Sequence, residues 1–277
     1  MSTISKKFKE QFGMWGFIAG ASEGLGAAFA RVLAERGLNL ILAARSKEKL
    51  QKITCELEKK NNILAYPLEI DLTQNNILPK IKKACEGKKV GLMIYNAALS
   101  PIGQFHEFSL EIHMQVISLN IIGPMKLIHY FGKQMIERGK GGILLMGSMA
   151  GLIGSPIHSH YGATKAYNID LAQSLWFELK NSGIHVTTCI AGPIDTPNFQ
   201  RSKPKKSFFQ PPPMNPKKVA RVGIAALQKN KPFIIPGFGN KISGWLLSKL
   251  LPRKMAIKIM GNIAKKMYGA EKKHINP

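Results

Sequence analysis

The sequence predicts an α/β fold: a doubly wound parallel β-sheet with helices on both faces and a helical extension at the C-terminus. Three observations predict it. Short apolar runs alternate with longer helix-patterned stretches from Trp15 to Ile235, as expected of strand–helix–strand units joined in parallel. The first run ends in a glycine-rich turn, Gly20 to Gly26, that opens a helix. Polar or small residues fall where strands end, at Arg45, Asp71, Asn96, Ser148 and Gly192, on the side where such sheets bind ligands. With 277 residues, 45% of them hydrophobic, the chain can bury a sizeable core. Residues 1–13 read as an N-terminal arm, 14–236 as the α/β domain with a substrate loop or lid over 197–216, and 237–277 as a basic amphipathic extension.

In chain order, Trp15 to Ala19 is the first strand and Ala27 to Arg36 the first helix of the sheet. Between them Gly20 and Gly24 permit a tight turn and close approach to a pyrophosphate. Gly26 allows close helix packing, and the helix N-terminus offers unpaired N–H groups. The second strand, Leu38 to Ala43, leads into Ala44, Arg45 and Ser46. No carboxylate stands where an NAD enzyme binds the ribose 2′-hydroxyl, and Arg45 suits a 2′-phosphate, so NADP(H) is the expected cofactor. A helix over Lys47 to Lys60, a strand Ile63 to Ile70 ending at Asp71 and Leu72, a helix to about Cys85 and a strand Val90 to Tyr95 ending at Asn96 and Ala97 follow.

Ser109 to Gly139 predicts one long helix with Asn120 in an apolar setting. Such an amide must find partners or cost about 1–3 kcal/mol. It is either structural or the holder of a water beside the site. The strand Gly142 to Met146 delivers Ser148, and Ala150 to Ser159 is loop. On the helix from Tyr161 to Asn181, Tyr161 and Lys165 lie one turn apart on one face. A phenol, with an ordinary pKa of about 10, is made more acidic by such a cation and can exchange a proton with a reacting oxygen. Ser148 and Tyr161 can converge on one carbonyl. The strand Ile184 to Ile190 closes with Gly192, Pro193, Ile194 and Thr196. The Pro-rich, basic stretch 198–216, with Phe199, Phe208 and Phe209, has no element periodicity and reads as a lid or disordered segment. A helix Pro216 to Gln228 and a strand Pro232 to Ile235 complete the domain.

Taken together these residues resemble the short-chain dehydrogenase/reductase family over about Met14 to Pro236, with every signal in the family's order. The resemblance implies a Rossmann-type sheet and hydride transfer between a nicotinamide and a small-molecule carbonyl or alcohol. It implies Tyr161 as general acid/base, and Lys165 lowering its pKa and holding the nicotinamide ribose. Ser148 would bind the substrate oxygen, and Asn120 would anchor a water that links Lys165 to solvent. Asp71 would contact the adenine, Asn96 would brace the cofactor strand, and Ile194 with Thr196 would orient the carboxamide. Gly20, Ser22, Gly24, Leu25, Gly26, Arg45, Leu72, Ala97, Gly192 and Pro193 complete the expected cofactor contacts; no metal is implied. The family forms oligomers through its long helices, here those bearing Asn120 and Tyr161, so a homo-oligomeric dimer or tetramer is expected. Departures from the family pattern are Ala19, Glu23, Tyr95, Ala98 and Ala191, all in supporting positions.

Charge sets the rival readings. Lys and Arg number 40 against 16 Asp and Glu, a net +24, with the excess concentrated late in the chain. This raises nucleic acid, anionic membranes and acidic partners such as a carrier protein. No nucleic-acid recognition motif is recognisable, so that reading ranks below the enzyme, as does a non-catalytic NADP-binding scaffold or sensor. The N-terminus has no signal-like apolar stretch, and Cys55, Cys85 and Cys189 form no metal or disulfide pattern. A cytoplasmic protein is expected. In the extension, Ile242, Trp245, Leu246 and Leu250 share one helical face, and Ala256, Ile259, Met260, Ile263, Ala264 and Met267 another. These helices either cover the cleft or a neighbouring subunit, the favoured reading, or lie peripherally on an anionic membrane. An apolar acyl, steroid-like or isoprenoid carbonyl would suit both.

Overall fold

A computed structural model describes residues 3–202 and 211–269. Seven parallel strands form one sheet in the order β3-β2-β1-β4-β5-β6-β7: β1 Trp15–Ala19, β2 Asn39–Ala44, β3 Ala65–Glu69, β4 Val90–Tyr95, β5 Gly141–Ser148, β6 Ile184–Ala191 and β7 Phe233–Ile234. The chain winds outward from β1 in one direction and then, from β4, in the other. The carboxyl ends of β1 and β4 therefore flank a crevice at the point where the order reverses. Strands β1, β2 and β4 are buried almost throughout, because helices cover both faces.

Helices α1 Thr3–Phe12, α2 Gly24–Glu35, α3 Lys47–Asn61 and α4 Leu78–Ala84 are followed by α5 Leu110–Ile117, α6 Gly123–Arg138 and α7 Ser159–Glu178. Then come α8 Pro197–Arg201, α9 Pro216–Gln228, α10 Phe238–Trp245 and α11 Arg253–Tyr268. Two apolar cores sit on opposite faces of the sheet. Phe29, Leu33, Leu42 and Ile224 anchor one, and Phe17, Met93, Phe131 and Ile143 the other. The charged N-terminal segment is α1, and its Phe8 and Phe12 are fully buried. The Phe12 carbonyl approaches so closely that a Cβ at Gly91 would lie 1.9 Å from it. The predicted arm is thus packed against the sheet.

The predicted single helix from Ser109 to Gly139 is broken by a π turn over Ser118–Ile122, between α5 and α6. Gly123 and Pro124 explain it. Pro124 has no N–H to offer the carbonyl four residues back, which is that of Asn120. Gly123 N–H bonds to Ser118 O instead of Leu119 O. The Tyr95 hydroxyl takes the freed Leu119 carbonyl at 2.6 Å, an approach only glycine permits, since a Cβ at 123 would lie 2.2 Å from that hydroxyl. Three boundaries also shift. Helix α2 begins at Gly24 rather than Ala27, β3 is shorter than 63–70, and a helical turn, α8, opens the segment read as irregular. Phe208 and Phe209 lie outside the described residues.

Candidate active site

A cleft of about 730 Å³ opens at the carboxyl ends of the strands and runs from Arg45 and Asp71 to Ser148, Tyr161 and Tyr268. Every residue expected from the sequence to act in catalysis or hold the cofactor lines it, except Gly26 and Asn120, which sit just behind its wall.

At one end the wall is backbone. Gly20 has φ +77° and passes so close to the β4 turn that a Cβ would stand 2.7 Å from Ala97 Cα. A Cβ on Gly26 would fall 1.8 Å from the Gly20 carbonyl oxygen. Asn96 locks this contact by donating its Nδ2 to Gly20 O at 2.9 Å, while Asn96 N–H and Ala97 N–H both bond to Ala19 O at 3.0 Å. The N–H groups of α2 are left facing the cleft, as a pyrophosphate requires. Asp71 is held by its own turn, accepting from Thr73 N at 2.9 Å and Thr73 Oγ1 at 2.8 Å. Burial works against its charge, but these bonds and Arg45 keep its carboxyl below the usual range.

Beyond the end of β2, exposed Arg45 and Lys49 line the cleft with Ser46. Glu23 faces Lys49 across the glycine turn. Burial opposes its charge, but hydrogen bonds from Lys49 and Arg201 hold its carboxyl below the ordinary value. The Arg201 contact ties α8 to the glycine turn at 2.7 Å. This cradle, with its glycine-only contacts, fits a nicotinamide dinucleotide, and its edge is cationic.

The chemistry sits between β5 and α7. Ser148 ends β5, accepts from Ala150 N at 3.2 Å and hydrogen-bonds the Tyr161 phenol. Lys165, 3% exposed, donates to Met146 O at 2.8 Å and lies 5.6 Å from the centre of the Tyr161 ring. Burial disfavours its charge and brings its pKa down to about 8. The phenol moves the other way from the expected lowering. Burial raises it, Ser148 partly offsets this, and Tyr268 adds to the rise. The cost of desolvating the phenolate dominates.

Asn120 is fully buried, and its side chain is spent on structure: Oδ1 accepts Leu99 N–H at 2.9 Å, and Nδ2 donates to Leu99 O and Thr164 Oγ1. Its carbonyl, released by Pro124, accepts from Asn168 Nδ2 at 2.9 Å. Asn168 Oδ1 has no protein partner among the described residues. This is a polar niche one helical turn beyond Lys165, on the side where a bridging water was expected.

Three residues at or beside the cleft escaped the sequence reading. Asn168 had a signal, since positions 161, 165 and 168 share a helix face. His158 precedes α7, and burial lowers its pKa to about 4; its Nε2 is buried without a protein partner among the described residues. Tyr268, the last residue of α11, meets it in a tilted ring contact with centres 5.2 Å apart. Nothing in the sequence pattern pairs those two residues.

A glycine cradle for a dinucleotide and a Ser–Tyr–Lys set at the switch point of a parallel sheet define a nicotinamide-dependent oxidoreductase. The family model described as short chain dehydrogenase matches residues 15–207, and the chain belongs to that family. Among its relatives is a 7beta-hydroxysteroid dehydrogenase of Clostridium sardiniense, 29% identical over 222 residues (80% of this chain, 85% of the relative). A very-long-chain 3-oxoacyl-CoA reductase of Macaca fascicularis is 27% identical over 259 residues (91% and 80%). A solved structure from work on 7beta-hydroxysteroid dehydrogenase stereoselectivity superposes with TM-score 0.84 at 25% identity, covering 91% of this chain and 98% of its own. A short-chain dehydrogenase of Sphingobium yanoikuyae in complex with NADPH superposes with TM-score 0.74 at 28% identity (81% and 88%).

Proposed function

We propose that this protein is an NADPH-dependent reductase of a bulky apolar ketone or aldehyde. The observation that carries the reading is the Ser148–Tyr161–Lys165 set opening into the same cleft as the glycine cradle. Residues Leu99, Ile102, Leu119, Ile194, Phe199 and Tyr268 give the substrate side an apolar lining, in keeping with the steroid and long acyl chain that appear in the names of the relatives. The exposed Arg45 and Lys49 support NADP over NAD, because a guanidinium and an ammonium neutralise a 2′-phosphate.

When bound, the nicotinamide supplies the hydride. Ser148 donates a hydrogen bond to the substrate oxygen, orienting the carbonyl against Tyr161. The Tyr161 hydroxyl delivers a proton as negative charge develops on that oxygen; a phenol whose pKa is raised holds this proton firmly until then. Lys165 stabilises the phenolate left behind and is itself fixed by Met146 O. Asn120 O and Asn168 Oδ1 hold the water through which that proton is replaced. The exposed apolar side chains Leu110, Met114, Met125, Tyr167 and Phe177 on α5, α6 and α7 support assembly through these helices into a homo-oligomer.

Titration with NADPH and NADH, followed by nicotinamide fluorescence, tests the cofactor. The expected outcome is tighter NADPH binding, which Arg45→Ala weakens by about 10–100-fold, the worth of a charge-assisted hydrogen bond or two. NADH binding would be unchanged. Equal affinities in both proteins would contradict it.

A further inference from the structure

The expected role of the C-terminal helices divides between them. Helix α11 packs on the loop before α7, with Ala256, Ala264 and Met267 buried and Gly261 against Pro156, and its last residue, Tyr268, reaches the cleft. Helix α10 and the π turn Leu246–Leu250 that continues it pack on the protein through their small and polar residues. Buried Asn240 donates to Pro236 O at 2.9 Å and abuts Gly192, and Gly244 packs on Met149 and Leu152.

The opposite face carries large apolar side chains in the open. Phe238 is 79% exposed, Trp245 57% and Leu250 58%, with Ile242 and Leu246 between them. Single exposed apolar residues are ordinary, but a contiguous set on one face is not. The flanking residues Lys241, Lys249, Arg253 and Lys254 are exposed, and no Asp or Glu occurs from Thr196 to Ala270.

We propose that α10 and its π turn form a docking surface for an anionic lipid bilayer. Phe238, Ile242, Trp245 and Leu250 would enter the boundary between headgroups and acyl chains, and the four cations would lie against lipid phosphates. Two observations select this occupant. An amphipathic segment with Trp, Phe and Leu on one face and lysines beside it is what an interfacial helix requires, and each cation near an anionic surface adds attraction. A second copy of the chain, joined by a two-fold axis, would bring two equally cationic faces together with no carboxylate in the stretch to pair them. No helix among the described residues is long and apolar enough to cross a membrane, so contact is with the surface. The packed face of α10 reaches Gly192, which lines the cleft. Docking would therefore bring the cleft near the bilayer, a source of apolar substrate. That last consequence rests on the reductase reading; the docking does not.

Sedimentation of the full-length protein with vesicles tests it, without reference to turnover. Vesicles of phosphatidylcholine mixed with phosphatidylglycerol are expected to bind the protein about tenfold or more tightly than phosphatidylcholine alone, with the difference lost at high salt. Trp245→Glu combined with Leu250→Glu is expected to weaken binding about tenfold or more, while NADPH affinity and circular dichroism stay unchanged. Lys241→Gln with Lys249→Gln, which leaves the apolar face intact, would remove much of the preference for anionic lipid. Failure to sediment with anionic vesicles would overturn the proposal, as would undiminished binding by both variants. A dimer in lipid-free solution that the Glu variant abolishes would assign the face to a second copy and overturn it too.

Discussion

The two ends of the cleft are built from different material. The cofactor end is made of backbone: Gly20 and Gly26 lie where a single Cβ would strike a carbonyl or main-chain carbon, and Asn96 ties their turn to the neighbouring strand. The substrate end is made of side chains brought from distant segments. Tyr268 arrives from α11, His158 from the start of α7 and Phe199 from α8. A backbone site tolerates almost no substitution and is general for the cofactor. A side-chain site can be exchanged residue by residue, and there specificity can change without loss of the fold.

Substitutions at each end should therefore fail differently. The largest effect is expected for Gly26→Ala. The added carbon must displace the Gly20 carbonyl that shapes the pyrophosphate turn, so NADPH affinity should fall more than about 100-fold and thermal stability with it. Equilibrium titration and calorimetry would measure this, and an unchanged affinity would break the comparison. Next comes pH. Burial gives Lys165 a folded pKa of about 8, below the ordinary lysine value of 10.5. It loses its charge as pH rises through about 8, so kcat/KM for carbonyl reduction should fall by up to about tenfold per unit above that point. Stability should move oppositely: between about 8 and 10.5 the unfolded chain binds the extra proton, so this residue's contribution rises with pH. A pH–rate profile and unfolding at matched pH would show both slopes, and Lys165→Met should flatten them.

Tyr268→Ala removes one wall of the substrate end. KM for a bulky ketone should rise about tenfold, the worth of an aromatic contact, with NADPH affinity untouched; a matching loss of NADPH affinity would show that the two ends are not separate. The smallest effect is expected at Glu23, whose carboxylate occupies Lys49 and Arg201. Glu23→Gln should release both cations toward a phosphate and tighten NADPH a few-fold, as befits exposed ion pairs.

The same contrast governs what the sequence made legible. Backbone constraints appear as residue types, so the glycine turn, Asn96, Asp71 and Ser148 stand out at strand ends, and the strand–helix alternation yields the doubly wound parallel sheet. Tyr161 and Lys165 are legible because helix spacing is regular. The π turn is not, because its cause is distributed: Pro124 frees one carbonyl, Gly123 leaves room, and Tyr95, far away in sequence, fills it. Tyr268 and His158 meet only through the packing of α11 on the loop before α7, which no local pattern encodes. The amphipathic character of the tail was visible, but not that α11 turns its apolar face inward while α10 leaves its own outward.

Turnover by Tyr161→Phe is the most direct test of the central claim, that the Tyr161 phenol passes the proton while the glycine cradle holds the nucleotide. NADPH oxidation would be followed with a bulky ketone, beside NADPH binding to the same protein. The account predicts a fall in kcat of about 10²–10⁴-fold with NADPH affinity unchanged. Turnover equal to that of the wild type would contradict it.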